Sequence, residues 1–434
     1  MKELYEPIRG FRDYIPPESE ILSWICDTFR EVVDSFGYRE VRTPTVESFK
    51  LFAIKSGEEI RESMYVFKDK GEREVALRPE VTPSVIRVYL KELKAWPKPI
   101  RLFYIANVFR YDEPQLGRYR EFTQAGVEIL GADDISYDIE LIEILEEFYD
   151  RIGLTDRKYK VNNVAIFRDL AMHSNLSEGY IEKLLHLLDK GLFNEAAEIF
   201  EARGSAKGAR IIREIAKNKD LNDIQTLVNI LESEGIYKEF KTHIDNLMNY
   251  IDYVKSIGAK VILNPAFARG IAYYTGIIFE VMAPPLNISI AGGGRYDNLT
   301  TVYGGEELST TGFAIGVERT MLALTAQRGG NIVSNRRKVL LLLLIKDPSI
   351  FNEVYSSVRD IRRHGVVTQM EIVPSTQKLG RWLEYASKQG FSYTVIIGRK
   401  ELEKGVAIIK DMEHWKQFEI PLNKLVEFLV KECE

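Results

Sequence analysis

The residues best suited to chemistry lie between Arg101 and Gly131, in RLFYIANVFRYDEPQLGRYREFTQAGVEILG. Arg110, Arg118 and Arg120 surround the polar turn Asp112-Glu113-Pro114-Gln115-Leu116-Gly117, and Gln124 and Glu128 follow. Arginine forks grip phosphate or carboxylate oxygens through paired bonds. Glutamine and glutamate offer acceptors to an ammonium group or a ring N–H. Together they suit a ligand that is anionic at one end and cationic or donor-rich at the other. The same side chains on a solvated hairpin would be ordinary surface charge, and this stretch alone does not choose between the two.

The elements that must position these residues follow from periodicity. An apolar run, Leu102 to Phe109, breaks at the turn and resumes as an alternating segment, which predicts an antiparallel strand pair. Successive strand side chains point to opposite faces. Thr123, Ala125, Val127 and Ile129 therefore form a small or apolar face, with Arg120, Phe122, Gln124 and Glu128 on the other. Upstream, Glu18 to Phe36 has helical spacing ending at Gly37, and Tyr38 to Arg42 reads as a strand. Met64 to Lys68 and Glu74 to Leu77 flank the hairpin signal Asp69-Lys70-Gly71. In Arg78-Pro79-Glu80-Val81-Thr82-Pro83, Thr82 is expected to cap a helix that runs to about Leu93. That helix would hold Glu80 beside free backbone N–H groups.

Downstream, Asp134 to Tyr149 reads as a helix across the sheet, and the pattern is helical throughout from Ala165 to about Gly258. Strands resume at Lys260 and lead through NPAFARGIAYYTG and AGGGRYDNL to Thr311–Arg319, a strand feeding a helix with Arg319 near its start. Alternation would put Tyr273 and Tyr274 on opposite faces, one of them core, which favours Tyr274 as a ligand contact. Gly292, Gly293 and Gly294 fit either backbone packing beneath a site or ligand contact. A polar stretch near Gln327 to Arg337 separates a segment of alternating strands and helices. The expected organisation is an α+β body on an antiparallel sheet (residues 1–165 and 259–326), an all-helical insertion (166–258), a linker (327–335) and a C-terminal α/β domain (336–434).

Composition narrows the class. The 434 residues exceed what one core usually supports, so two or three domains are expected. The N-terminus lacks the apolar core of a secretory signal, and the longest apolar run, Val339 to Ile345, is too short to span a bilayer. The chain is read as cytoplasmic, with no membrane contact. Two cysteines and five scattered histidines point away from a disulfide framework and from a cysteine- or histidine-based metal site. Net charge is −5, yet residues 336–434 carry 17 lysines and arginines against 13 aspartates and glutamates. A mildly basic C-terminal unit on an acidic body is compatible with RNA contact.

With FRYDEP, GRYREFTQAGVEILG, ARGIAYYTG, AGGGRYDNL and GFAIGVER in this order, the sequence resembles the histidyl-tRNA synthetases, class II aminoacyl-tRNA synthetases, over essentially its whole length. The resemblance implies ATP-dependent ligation of histidine to the 3′ end of its tRNA in protein biosynthesis, a homodimer, and Mg2+ accompanying ATP. It places the dimer-interface motif at Gly37 to Pro44, and the C-terminal unit becomes an anticodon-binding domain. It assigns ATP to Arg110, Arg118 and Arg319, and the amino end of histidine to Glu80, Thr82 and Gln124. The imidazole falls to Glu128 and Tyr274, with Tyr273 beside it. Arg269, catalytic together with Arg110, would face the reacting carboxylate and α-phosphate.

Two positions depart from the family pattern: Ala272, where an aspartate is usual, and Val81, where glycine is common. A competing function is the non-catalytic, histidine-synthetase-like regulatory subunit of histidine biosynthesis. Such chains typically lack the C-terminal module and lose the ATP-binding arginines, whereas Arg110, Arg269 and Arg319 are present here.

Overall fold

The structure, a computed structural model, describes residues 5–56, 58–217, 224–265, 267–268, 273–329, 337–374 and 378–433. It divides into two compact units, Met1–Ile332 and Val333–Glu434.

The larger unit is built on an eight-stranded sheet. Its strands are β1 (Arg39–Glu40), β5 (Ile100–Phe109), β6 (Glu121–Leu130), β7 (Lys158–Asn163), β8 (Val261–Leu263), β9 (Ile277–Ala283), β10 (Ile288–Arg295) and β11 (Thr310–Gly316). They are ordered β1-β5-β6-β11-β10-β9-β7-β8. Pairing is antiparallel through the middle, from β5 to β7, and parallel only at the edges, β1 on β5 and β8 on β7. A three-stranded sheet, β2 (Val46–Ser48), β3 (Val66–Lys68) and β4 (Glu74–Leu77), contains the predicted hairpin.

Alternation sorts the two faces. Ala125, Val127 and Ile129 of β6 are buried beneath α1 (Glu18–Ser35), α4 (Ser136–Ile152) and α12 (Val317–Gln327). Phe29 of α1 meets Phe148 of α4 and Phe313 of β11 edge-on, with centroids 5.5 and 6.3 Å apart. The opposite face of β5 buries Leu102, Tyr104 and Val108 against α3 (Thr82–Val88), which continues as a π turn to Leu93.

Among the described residues, six helices occupy the interval between β7 and β8: α5 (Ala165–His173), α6 (Glu178–Asp189), α7 (Phe193–Ala202), α8 (Ala206–Lys217), α9 (Ile224–Ser233) and α10 (Tyr237–Ser256). They share one apolar cluster with α3 and with Tyr273, Tyr274 and Tyr296. The second half of α10, from Leu247 to Val254, instead packs into the cluster behind the main sheet.

The smaller unit is a five-stranded sheet, ordered β13-β12-β14-β15-β16. Its strands are β12 (Lys338–Leu343), β13 (Val367–Ile372), β14 (Tyr393–Ile397), β15 (Val406–Asp411) and β16 (Gln417–Pro421). The first three pair in parallel and the last two antiparallel. Val339, Leu341 and Leu343 enter one core and Leu340 and Leu342 the other, so both faces of β12 are buried.

Candidate active site

Above the polar face of β6 lies a cavity of about 850 Å3, within the range of small-molecule sites. Glu80, Thr82, Arg110, Arg118, Gln124, Glu128, Tyr273, Tyr274 and Arg319 all line it, although they come from four separate parts of the chain. Arg269 and the departing Ala272 lie outside the described residues.

At one end sits Glu128, only 1% exposed. Thr82 donates its hydroxyl to Glu128 Oε1 at 2.6 Å, and Tyr296 donates its hydroxyl to Oε2. Burial holds the Glu128 carboxyl well above the usual carboxylate range. The Glu80 charge adds to this, while hydrogen bonds from Thr82 and the buried Tyr104 oppose it. Gly312 of β11 explains how a carboxylate fits here: a Cβ there would stand 2.2 Å from Glu128 Oε2 and 2.4 Å from the Val127 carbonyl. Close by, Tyr273 donates to Glu80 at 3.1 Å. Gln124 presents a buried side-chain oxygen that accepts no hydrogen bond among the described residues, an acceptor suited to an ammonium group.

At the other end the arginines are held by backbone. Arg110, where β5 ends, donates from Nε to the Pro79 carbonyl at 3.0 Å and lies over the Phe122 ring at 5.4 Å. Arg319, in the first turn of α12, donates to the carbonyls of Gly117 at 2.7 Å and Ser289 at 3.0 Å, joining the hairpin turn to β10. Its neighbour Glu318 accepts the Thr123 N–H on both oxygens at 2.9 Å, fixing the start of α12 to β6. Arg118 is exposed on the rim. Arg120 turns away: it donates to the Asp112 carbonyl and covers the Tyr111 ring at 3.9 Å, so it braces the hairpin.

Two expectations are corrected. Thr82 does not cap α3. It is the first residue of the helix, the N-cap is Val81 without a side-chain bond, and the Thr82 hydroxyl donates to Glu128. Tyr273 and Tyr274 do not take opposite strand faces, because they occupy the turn before β9. Both are buried with ring centroids 5.2 Å apart, and both reach the cavity. In the glycine run, Gly293 serves backbone packing, allowing the Gly312 carbonyl to approach where a Cβ would sit, and Gly292 lines the cavity.

Sequence reasoning missed Tyr296, Tyr104 and Glu318. Tyr296 lies two residues after the last of the glycines, and its place in that motif was the available signal. Asp189 and Phe193, from the helical segment, also line the cavity, and nothing in the local pattern marks them.

A mostly antiparallel sheet that lays a long hairpin against a strand–helix junction, with arginines from both facing one cavity, is the catalytic fold of a class II aminoacyl-tRNA synthetase. The family model described as histidyl-tRNA synthetase matches residues 10–320, and that described as anticodon binding domain matches 338–432. Histidine--tRNA ligases of Metallosphaera sedula and Sulfolobus acidocaldarius are 43% and 41% identical, each alignment covering 98% of both chains. The crystal structure of histidyl-tRNA synthetase from Nostoc sp. PCC 7120 shares the fold over 99% of both chains, with a TM-score of 0.80 at 20% identity. The chain belongs to the histidyl-tRNA synthetase family.

Proposed function

We propose that the protein activates L-histidine with ATP, forming histidyl-adenylate and pyrophosphate, and then transfers histidine to the 3′ end of its tRNA. The observation that carries this reading is the polarity of one cavity: a buried carboxyl group ringed by hydroxyls and an amide oxygen unpaired among the described residues at one end, two backbone-held arginines at the other. Glu128 accepts a ring N–H, and Gln124 and Glu80 receive the ammonium group. The carboxylate then faces the arginine end, where it attacks the α-phosphate. Both reactants are anionic, so the protein must supply fixed positive charge and alignment rather than a nucleophile. Arg110 and Arg319 do so on anchored elements, Arg118 reaches the nucleotide from the rim, and Arg269 completes the set by family resemblance.

ATP enters as its Mg2+ complex. The ion would find carboxylate oxygens on the cavity wall at Glu280 and at Glu318, the latter shared with the Thr123 N–H. Residues 338–432 bind the anticodon region, the enzyme works as a homodimer, and it is cytoplasmic. Among the described residues no helix is long and apolar enough to cross a membrane. The regulatory-subunit alternative is not favoured, since relatives matched over their full length are named ligases and the cavity retains Arg110 and Arg319. Histidine-dependent exchange of labelled pyrophosphate into ATP tests the reading, and exchange that ignores histidine but answers to another amino acid refutes it.

A further inference from the structure

Three tyrosines crowd the histidine end of the cavity. Tyr273 and Tyr296 are 5.5 Å apart between centroids, Tyr274 and Tyr296 6.4 Å, and two of the hydroxyls end on the carboxylates Glu80 and Glu128. Tyr273 and Tyr274 stand on a turn, without a strand's ladder of hydrogen bonds to fix them. Something else must hold that turn.

Thr275, the next residue, is fastened at three points. Its N–H donates to the Arg295 carbonyl at 2.8 Å, its hydroxyl accepts the Asp297 N–H at 3.0 Å, and the same hydroxyl donates to Asp297 Oδ2 at 3.3 Å. The other oxygen of Asp297 accepts the Thr310 N–H at 2.9 Å, at the start of β11. Thr310 grips Tyr296 in return, donating its hydroxyl to the Tyr296 carbonyl at 2.7 Å and accepting the Tyr296 N–H at 2.8 Å. Arg295 pairs with Asp297 at 3.4 Å and with the buried Asp138 of α4 at 2.7 Å, which anchors the assembly to the sheet. Thr275, Arg295 and Asp297 are all absent from the cavity wall. One carboxylate outside the site thus joins the two segments that carry its tyrosines.

We propose that Asp297 is a positioning residue for amino-acid recognition: through Thr275 it sets the Tyr273–Tyr274 turn, and through Thr310 it sets Tyr296 against Glu128. The arginine end of the cavity hangs on other supports, the Pro79, Gly117 and Ser289 carbonyls. Losing Asp297 therefore weakens histidine binding and leaves ATP binding in place. The inference rests on the histidine-activating reading above.

The test is pyrophosphate exchange by the full chain, with the KM for each substrate measured separately. Asp297→Asn keeps the shape, but its amide nitrogen replaces one of the two oxygens, turning N–H groups either toward Thr275 or toward the Thr310 N–H and Arg295, and it removes the charge. Replacing a charge-assisted bond in this way should raise the KM for histidine on the order of 10-fold, with the KM for ATP and kcat changed less than about threefold. Thr275→Val should act in the same direction and Thr275→Ser should recover most of the loss. The double variant Asp297→Asn/Thr275→Val should be little worse than either single one, because the two residues act as one unit. An unchanged KM for histidine, a parallel rise for histidine and ATP, or additive effects would each overturn the proposal. Wild-type protein without histidine-dependent exchange overturns the underlying reading instead.

Discussion

Glu128→Gln separates recognition from stability. Glutamine keeps the volume and one acceptor, so the Thr82 hydroxyl still has a partner, and the Tyr296 hydroxyl can rotate to accept from the new amide. What the variant gives up is the charge-assisted hydrogen bond that Glu128 makes to the ring N–H of histidine once the cationic ligand draws off the proton that burial favours in the empty site. Such a bond contributes about 1.5–3 kcal/mol, so kcat/KM for histidine should fall by roughly 10- to 150-fold. Because ground and transition states share this bond, the effect should appear mainly in KM.

Stability should move the other way with pH. Burial raises the Glu128 pKa in the fold, so above the unfolded carboxylate value, about 4.3, the native state binds more protons than the unfolded chain. Wild-type stability is therefore lost as pH rises from there through the raised folded value, and the glutamine variant escapes that loss. Pyrophosphate exchange at saturating ATP and urea unfolding at several pH values measure the two effects. A variant that keeps kcat/KM within about threefold, or whose stability relative to wild type falls as pH rises, would refute the reasoning.

Gly312→Ala should cost about 1–3 kcal/mol in unfolding free energy and raise the KM for histidine more than that for ATP, since the new methyl group needs the space of the Glu128 carboxylate. Arg269→Ala should lower kcat for exchange by ~10²–10³ with a smaller change in the KM for histidine, and a folded variant with near-normal kcat would contradict that role. Removing the C-terminal unit after about residue 335 should spare exchange and cripple tRNA charging, because the clusters behind and above the site close within the larger unit. A folded truncation that loses exchange would count against this division.

The parts of the site legible in the sequence are those set by local periodicity. Gln124 and Glu128 share a face because β6 is a regular strand, and Arg110 falls where β5 ends, so alternation and a turn signal locate all three. The parts that failed depend on interactions between distant segments. The Thr82 hydroxyl prefers a buried carboxylate 46 residues away to its own helix N-terminus, and no local rule anticipates that competition. Alternation failed at Tyr273 and Tyr274 because it was applied to a turn. Tyr296 looked like one more aromatic beside a glycine-rich turn, and its role emerges only when Gly312 lets Glu128 reach it. Strands β7 and β16, short and mixed in polarity, also went unpredicted.

Helix α10 has a mechanical consequence. It is 20 residues long, hence about 30 Å, and contains neither proline nor glycine at which to kink. Phe240 and Ile244 near one end belong to the apolar cluster of the helical segment, while Leu247, Tyr250 and Val254 toward the other belong to the cluster under the sheet. The helical segment is therefore not a bead on a flexible string but is mounted on a stiff beam whose far end is clamped. A load on α6 to α9 is delivered along that beam to the floor under the catalytic strands, and swinging those helices freely would require α10 to break or its clamp to open.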